Sequence, residues 1–118
     1  MINNVNRIYK VIKKFENEKD SKTKAVLFNP NTMNNYYRLM ISSECLDKLN
    51  PYDSTLEVIK YIKSNDPEIV KDLFLAITPV HTDDETMKIL NLNYKKGVSY
   101  IDKLEMFDKT LSEVYVMI

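Results

Sequence analysis

The chain has 118 residues, among them one glycine, one cysteine, one histidine and no tryptophan, and 17 basic side chains balance 17 acidic ones to a formal charge of zero. A single glycine excludes phosphate-cradling loops of the Walker or dinucleotide type, which need several backbone positions without a Cβ beside the ligand. One cysteine and one histidine likewise exclude an internal disulfide and a four-ligand Cys/His zinc site, while the length and 44% apolar content suit one domain over residues 1–118 that buries its core without staples.

The residue usage is skewed toward amino acids with AT-rich codons: 15 Lys against 2 Arg, with 12 Asn, 11 Ile and 8 Tyr. It suggests an AT-rich bacterial or viral genome. Residues 1–24 carry net +4, residues 25–81 net −2 and residues 82–118 net −2. No apolar run approaches the roughly 18 residues of a spanning helix, and charges thread the N-terminus, so neither signal peptide nor membrane anchor is expected. A cytoplasmic protein follows from that expectation.

From Asn3 to Glu18, Val5, Ile8, Ile12 and Phe15 recur at spacings of three and four, which predicts an amphipathic helix. Its polar side carries Arg7, Lys10, Lys13 and Lys14, a cationic face suited to phosphate or to an acidic partner. Residues 16–24 read as a charged connector. Ala25–Phe28 and Tyr36–Ile41 are β-compatible runs around turn residues Asn29, Pro30, Asn31 and Thr32, which predicts a β-hairpin over about 24–42. A helical stripe of Met33, Tyr36, Tyr37 and Met40 starting at Thr32 competes with it.

The remainder reads as helical. Cys45, Leu46 and Leu49 fit one or two turns ending at Asn50-Pro51, because a residue before proline leaves the α region. Ser54-Thr55-Leu56-Glu57 is a capping-box pattern that predicts a helix over 55–64. Asp66-Pro67 opens another, whose apolar face of Ile69, Val70, Leu73, Phe74 and Ile77 runs to Pro79. Thr82, with Asp83, Asp84 and Glu85 behind it, starts a helix with Met87, Ile89, Leu90 and Tyr94 on its buried side, and Gly97 sits where a left-handed cap is expected. Tyr100, Leu104, Phe107, Leu111, Val114 and Ile118 then step by fours and threes. One helix fits, as do two broken near Asp108; Val114–Ile118 alone could be a strand.

The fold expected from these signals is α+β but predominantly helical, with an N-terminal amphipathic helix, one hairpin, then four or five helices. Catalytic constellations are missing: Cys45 and His81 form the only soft pair, with nothing local to activate either. Helix-start chemistry accounts for Asp83, Asp84 and Glu85, so neither metal nor cofactor is expected, nor an enzyme. Tyr36, Tyr37 and Arg38 with Tyr52 are candidates for a partner surface, where Tyr and Arg are favoured. The apolar tail Val114–Ile118 is expected to be buried in the domain or to form a homodimer seam.

One stretch carries a family resemblance. Ile89-Leu90-Asn91-Leu92-Asn93-Tyr94, then Lys96-Gly97-Val98-Ser99-Tyr100, and Thr110 through Val114-Tyr115 resemble the C-terminal helix-turn-helix of phage regulators similar to the DNA-reading region of bacterial sigma factors. The resemblance implies that residues 82–118 form a degenerate helix-turn-helix, with Lys109, Thr110 and Ser112 on the DNA side. Beyond Lys109 that segment has no Arg, Lys, Asn or Gln to read base edges. The expected function is therefore a small non-enzymatic protein of a phage or mobile element that binds another protein, such as a host or defence factor that it inhibits or redirects. A helix-turn-helix transcription regulator binding nucleic acid is the alternative, and a virion structural or assembly component a third.

Overall fold

The computed structural model describes residues 2–30, 36–106 and 109–118. Helix α1 spans Ile2–Lys19 and buries Val5, Ile8, Val11, Ile12 and Phe15, the stripe that the periodicity predicts. Asp20 stops it by taking positive φ (48°), which turns the chain so that the Ser21 N–H donates to the Glu16 carbonyl at 3.1 Å. Strands β1 (Thr23–Asn29) and β2 (Tyr36–Ser43) pair antiparallel from Thr23↔Ser43 to Phe28↔Arg38. This is the expected hairpin. Its turn residues Asn31 and Thr32 lie outside the described residues, as does Met33 of the competing helical stripe.

Beyond the hairpin the expected fold needs correction. Helices α2 (Glu44–Asp47), α3 (Pro51–Asn65) and α4 (Pro67–Asp72) carry the chain back across the sheet to β3 (Phe74–Pro79), which lies parallel to β2. This β2–helices–β3 crossover leaves the sequence from Phe74 to Pro79 as a strand, not the end of a helix. Ile69 and Leu73 do sit on the helical side and are buried, whereas Leu75 and Ile77 alternate onto one face of β3. A short helix followed by a strand shares its apolar spacings with one longer helix. The start of α3 also differs: Asn50 caps it by accepting from the Asp53 N–H, with Pro51 in the first turn, while Ser54 is buried and donates to the Leu46 carbonyl.

Helix α5 spans Glu85–Asn93, capped by Asp84 rather than Thr82, and two strands follow, β4 (Val98–Met106) and β5 (Lys109–Met117), paired antiparallel. The helices expected over residues 97–118 are thus a second hairpin. Its turn residues Phe107 and Asp108 lie outside the described residues. The protein is a mixed α/β fold around a five-stranded sheet of order β3-β2-β1-β5-β4, not a predominantly helical one.

The misleading periodicity has a physical cause. Glu113 adopts positive φ (51°) at a bulge where β1 residues Leu27 and Asn29 face Tyr115 and Ser112. The extra residue puts Leu111 and Val114, three apart, in one buried cluster. A bulged strand thereby imitates helical spacing. Gly97 has the positive φ expected of it (111°), but its purpose is to open β4, exchanging N–H and carbonyl with Ile118.

Both faces of the sheet are covered. On one, α1, α3 and α4 pack with Ala25, Leu27, Leu39, Ile41 and Met117; on the other, Met87 and Leu90 of α5 meet Val26, Phe28, Leu111, Val114 and Val116. Val114, Val116 and Met117 are thus core residues, and the apolar tail is buried within the sheet. Among the described residues α5 brings those two buried side chains to its cluster, so each matters. Met87→Ala is expected to lower stability by about 2–5 kcal/mol, and Lys88→Ala on the exposed side of the same helix to stay within about 0.5 kcal/mol. Urea midpoints check this, and equal effects from the two would contradict the packing.

Candidate functional site

On the cationic face of α1, Arg7 and Lys13 are half-buried and Lys10 and Lys14 are exposed. The Arg7 guanidinium makes a fork on Asp66, Nε to Oδ2 at 2.9 Å and Nη2 to Oδ1 at 2.5 Å, and its Nη1 donates to Asn4 and lies 3.5 Å from Asp72. Such bidentate pairs are the geometry for which arginine is suited. The fork latches α1 to the junction between α3 and α4. Lys13 holds Glu16 at 3.0 Å and Lys14 lies 4.0 Å from Glu18, while Lys10 is exposed. Of the four residues singled out for phosphate or an acidic partner, one is thus a structural clamp.

The tyrosine surface is not assembled as expected either. Strand alternation turns Tyr37 into the core, where it is 7% exposed, and burial raises its hydroxyl pKa. Tyr36 and Arg38 face the other side of β2, with Arg38 donating to Thr78 Oγ1 at 2.7 Å. Tyr52 is strongly exposed in the first turn of α3, near the opposite end of β2 from Tyr36. The segment resembling a recognition helix is β5, on which Thr110 is exposed and Ser112 half-buried; the Lys109 side chain lies outside what the structure describes.

Cys45 and His81 are engaged by different partners. The Cys45 thiol lies 3.4 Å from Ser43 Oγ, in a knot of hydroxyls where Ser21 and Thr23 also meet Ser43 at 2.7 and 3.0 Å. His81 follows β3, accepts from the Asp83 N–H at Nδ1 (3.0 Å), and holds Nε2 3.8 Å from Asp47. Asp47 itself is taken by Thr82, whose N–H and hydroxyl donate to its two oxygens. Both oxygens are satisfied by a neutral residue. The arrangement is a staple joining α2 to the β3–α5 loop, at the rim of a hollow lined by Leu46, Leu49, Pro51, Ser54, Pro79 and Val80. Among the described residues no three His, Cys, Asp or Glu side chains converge as a metal site would require.

The feature that sequence reasoning missed is the outer edge of β3. β3 ends the sheet, and no strand among the described residues pairs with its free side. Beside it, Ile59, Ile62 and Lys63 of α3 with Leu75 and Ile77 of β3 line a groove of about 210 Å³. That is below the ~300–1,000 Å³ of ordinary small-molecule pockets, and its lining is apolar except for Lys63. The two edges contrast. β4 carries Asp102, Lys103 and Glu105, charges of the kind that deter edge-to-edge pairing, whereas Phe74-Leu75-Ala76-Ile77-Thr78-Pro79 has none. The signal available in sequence was that uncharged run between Asp72 and His81, with Leu75 and Ile77 alternating.

No protein family, curated protein or solved structure matches the chain. Among the described residues no helix is long and apolar enough to cross a membrane.

The Arg7 latch sets a pH dependence. Hydrogen bonding from Arg7 holds the Asp66 carboxyl below its ordinary value. At Glu16, burial pushes upward but the Thr23 N–H and Lys13 outweigh it, so that carboxyl is lowered too. Depressed folded values mean that both groups stabilise the fold fully above the ordinary carboxylate range near 4 and lose that contribution as pH falls through their folded values. The urea midpoint is expected to fall between neutral and strongly acid pH, with a smaller fall in Asp66→Asn. An equal fall in both proteins would show that the latch contributes nothing.

Proposed function

We propose that this chain is a small non-enzymatic binding protein that captures an extended segment of another protein along β3. One observation carries the reading: an uncharged, unpaired edge strand runs beside an apolar groove, while the sheet's other edge is charged. An added strand satisfies the free N–H and carbonyl groups of the edge and sends alternate side chains toward the groove, a recurring mode of peptide recognition.

The chemistry of the segment follows. Each edge hydrogen bond contributes about 0.5–1.5 kcal/mol net and says nothing about sequence, whereas burying one aliphatic side chain contributes about 1.5–3 kcal/mol. Groove side chains therefore set the choice of partner. Residues at every second position should be apolar, to meet Ile59, Ile62, Leu75 and Ile77, with a carboxylate near Lys63. The residue usage is consistent with a phage or mobile-element protein acting on a host factor in this way. A phosphate-binding role draws less support, because Arg7 and Lys13 already hold Asp66 and Glu16.

Panning a random-peptide library against the full chain tests this. Enriched peptides are expected to alternate apolar residues, to slow hydrogen exchange at amides of residues 74–78, and to bind Ile59→Glu at least about tenfold more weakly, a difference of about 1.4 kcal/mol. The reading fails if no peptide is enriched over an unrelated protein, or if the enriched ones leave residues 74–78 unprotected or bind Ile59→Glu equally well.

A further inference from the structure

A second surface, on the other side of the sheet from the groove, points to a different partner. Helix α5 buries Met87 and Leu90 and turns Ile89 and Leu92 outward, 47% and 82% exposed. Isolated exposed apolar residues are ordinary. These two, however, share one stripe of a helix whose flanking charges are segregated: Asp83, Asp84 and Glu85 stand at its beginning, Lys88 follows one turn later, and Lys95 and Lys96 lie just beyond its end.

Segregation of this kind is self-complementary under one symmetry. A two-fold axis passing between Ile89 and Leu92 lays the helix antiparallel across its copy, so that Ile89 of each meets Leu92 of the other and each acidic beginning meets a basic end. Parallel pairing would set like charges together, and a different partner would need to reproduce the same bipolar pattern. We propose that α5 is the seam of a two-fold homodimer formed with a second copy of this chain. The helix is nine residues, about 13 Å long. The contact falls short of the ~1,200 Å² typical of stable complexes, so the dimer is weak and forms with rising concentration. It stands independently of the strand-edge reading, and its place differs from the C-terminal seam that the sequence offered as one of two alternatives, because Val114, Val116 and Met117 are buried in the core.

Sedimentation equilibrium on the full chain tests it, with far-UV circular dichroism checking that each variant folds. Wild type is expected to rise toward dimer mass with concentration and Leu92→Glu to remain monomeric. Reversing either end, as Asp83→Lys with Glu85→Lys or as Lys95→Glu with Lys96→Glu, should weaken self-association about tenfold at low salt. An equimolar mixture of the two reversed proteins should recover it, because opposite charges then meet at both ends. A wild type that stays monomeric throughout, a Leu92→Glu protein that dimerises like wild type, or a mixture that associates no better than its components overturns the proposal.

Discussion

Everything in this structure depends on a strand that is buried on both faces. From Ala25 to Asn29 every residue of β1 is buried, with Ala25 and Leu27 facing α1 and α3 while Val26 and Phe28 face α5. A strand with apolar residues at consecutive positions cannot satisfy the hydrophobic effect with one cover, so two layers of helix are required. Nor can it lie at an edge, because its backbone groups would then be buried without partners or its side chains exposed. β2 takes one side of it and β5 the other. The carboxyl-terminal segment is therefore structural: it completes the hydrogen bonding of the central strand and supplies Val114 and Val116 to one core and Met117 to the other.

That constraint also settles which parts of the molecule are left open. With β1 and its two neighbours inside, the free edges fall to β3 and β4, and these were treated oppositely: β4 with charges, β3 with none. On the α5 side the cover is one nine-residue helix whose inner stripe is spent on the core and whose outer stripe still carries two apolar side chains. Both proposed contacts arise from the same economy, in which few helical residues cover a wide sheet. The polar clusters, by contrast, close upon themselves. Arg7 with Asp66, and Asp47 with Thr82, join elements far apart in sequence and leave little of their hydrogen-bonding capacity for a ligand.

How far sequence could lead depended on whether apolar spacing had one meaning. In α1 it did, since about three turns of regular spacing from Val5 to Phe15 leave no strand alternative, and the hairpin of β1 and β2 was signalled by β-compatible runs around turn residues. At Ile69–Ile77 the spacing had two meanings, because α4 and β3 in succession bury residues at intervals that one helix would also use. At Leu111–Val114 the bulge at Glu113 converted strand alternation into a step of three. The candidate site was less legible still. Tyr37 was offered for a surface but strand parity turns it inward, and the groove joins Ile59 and Ile62 to Leu75 and Ile77, a contact that only the crossover creates.

β1 is enclosed between β2 and β5, and amide hydrogen exchange resolved by NMR reads that enclosure on the β5 side. Amides of Val26–Phe28 and of Val114–Val116 that take part in the pairing should exchange slowest of all and together, at the free energy of global unfolding, because neither strand can open alone. Residues 111–117 exchanging at unfolded-chain rates, while β1 remains protected, would contradict the account.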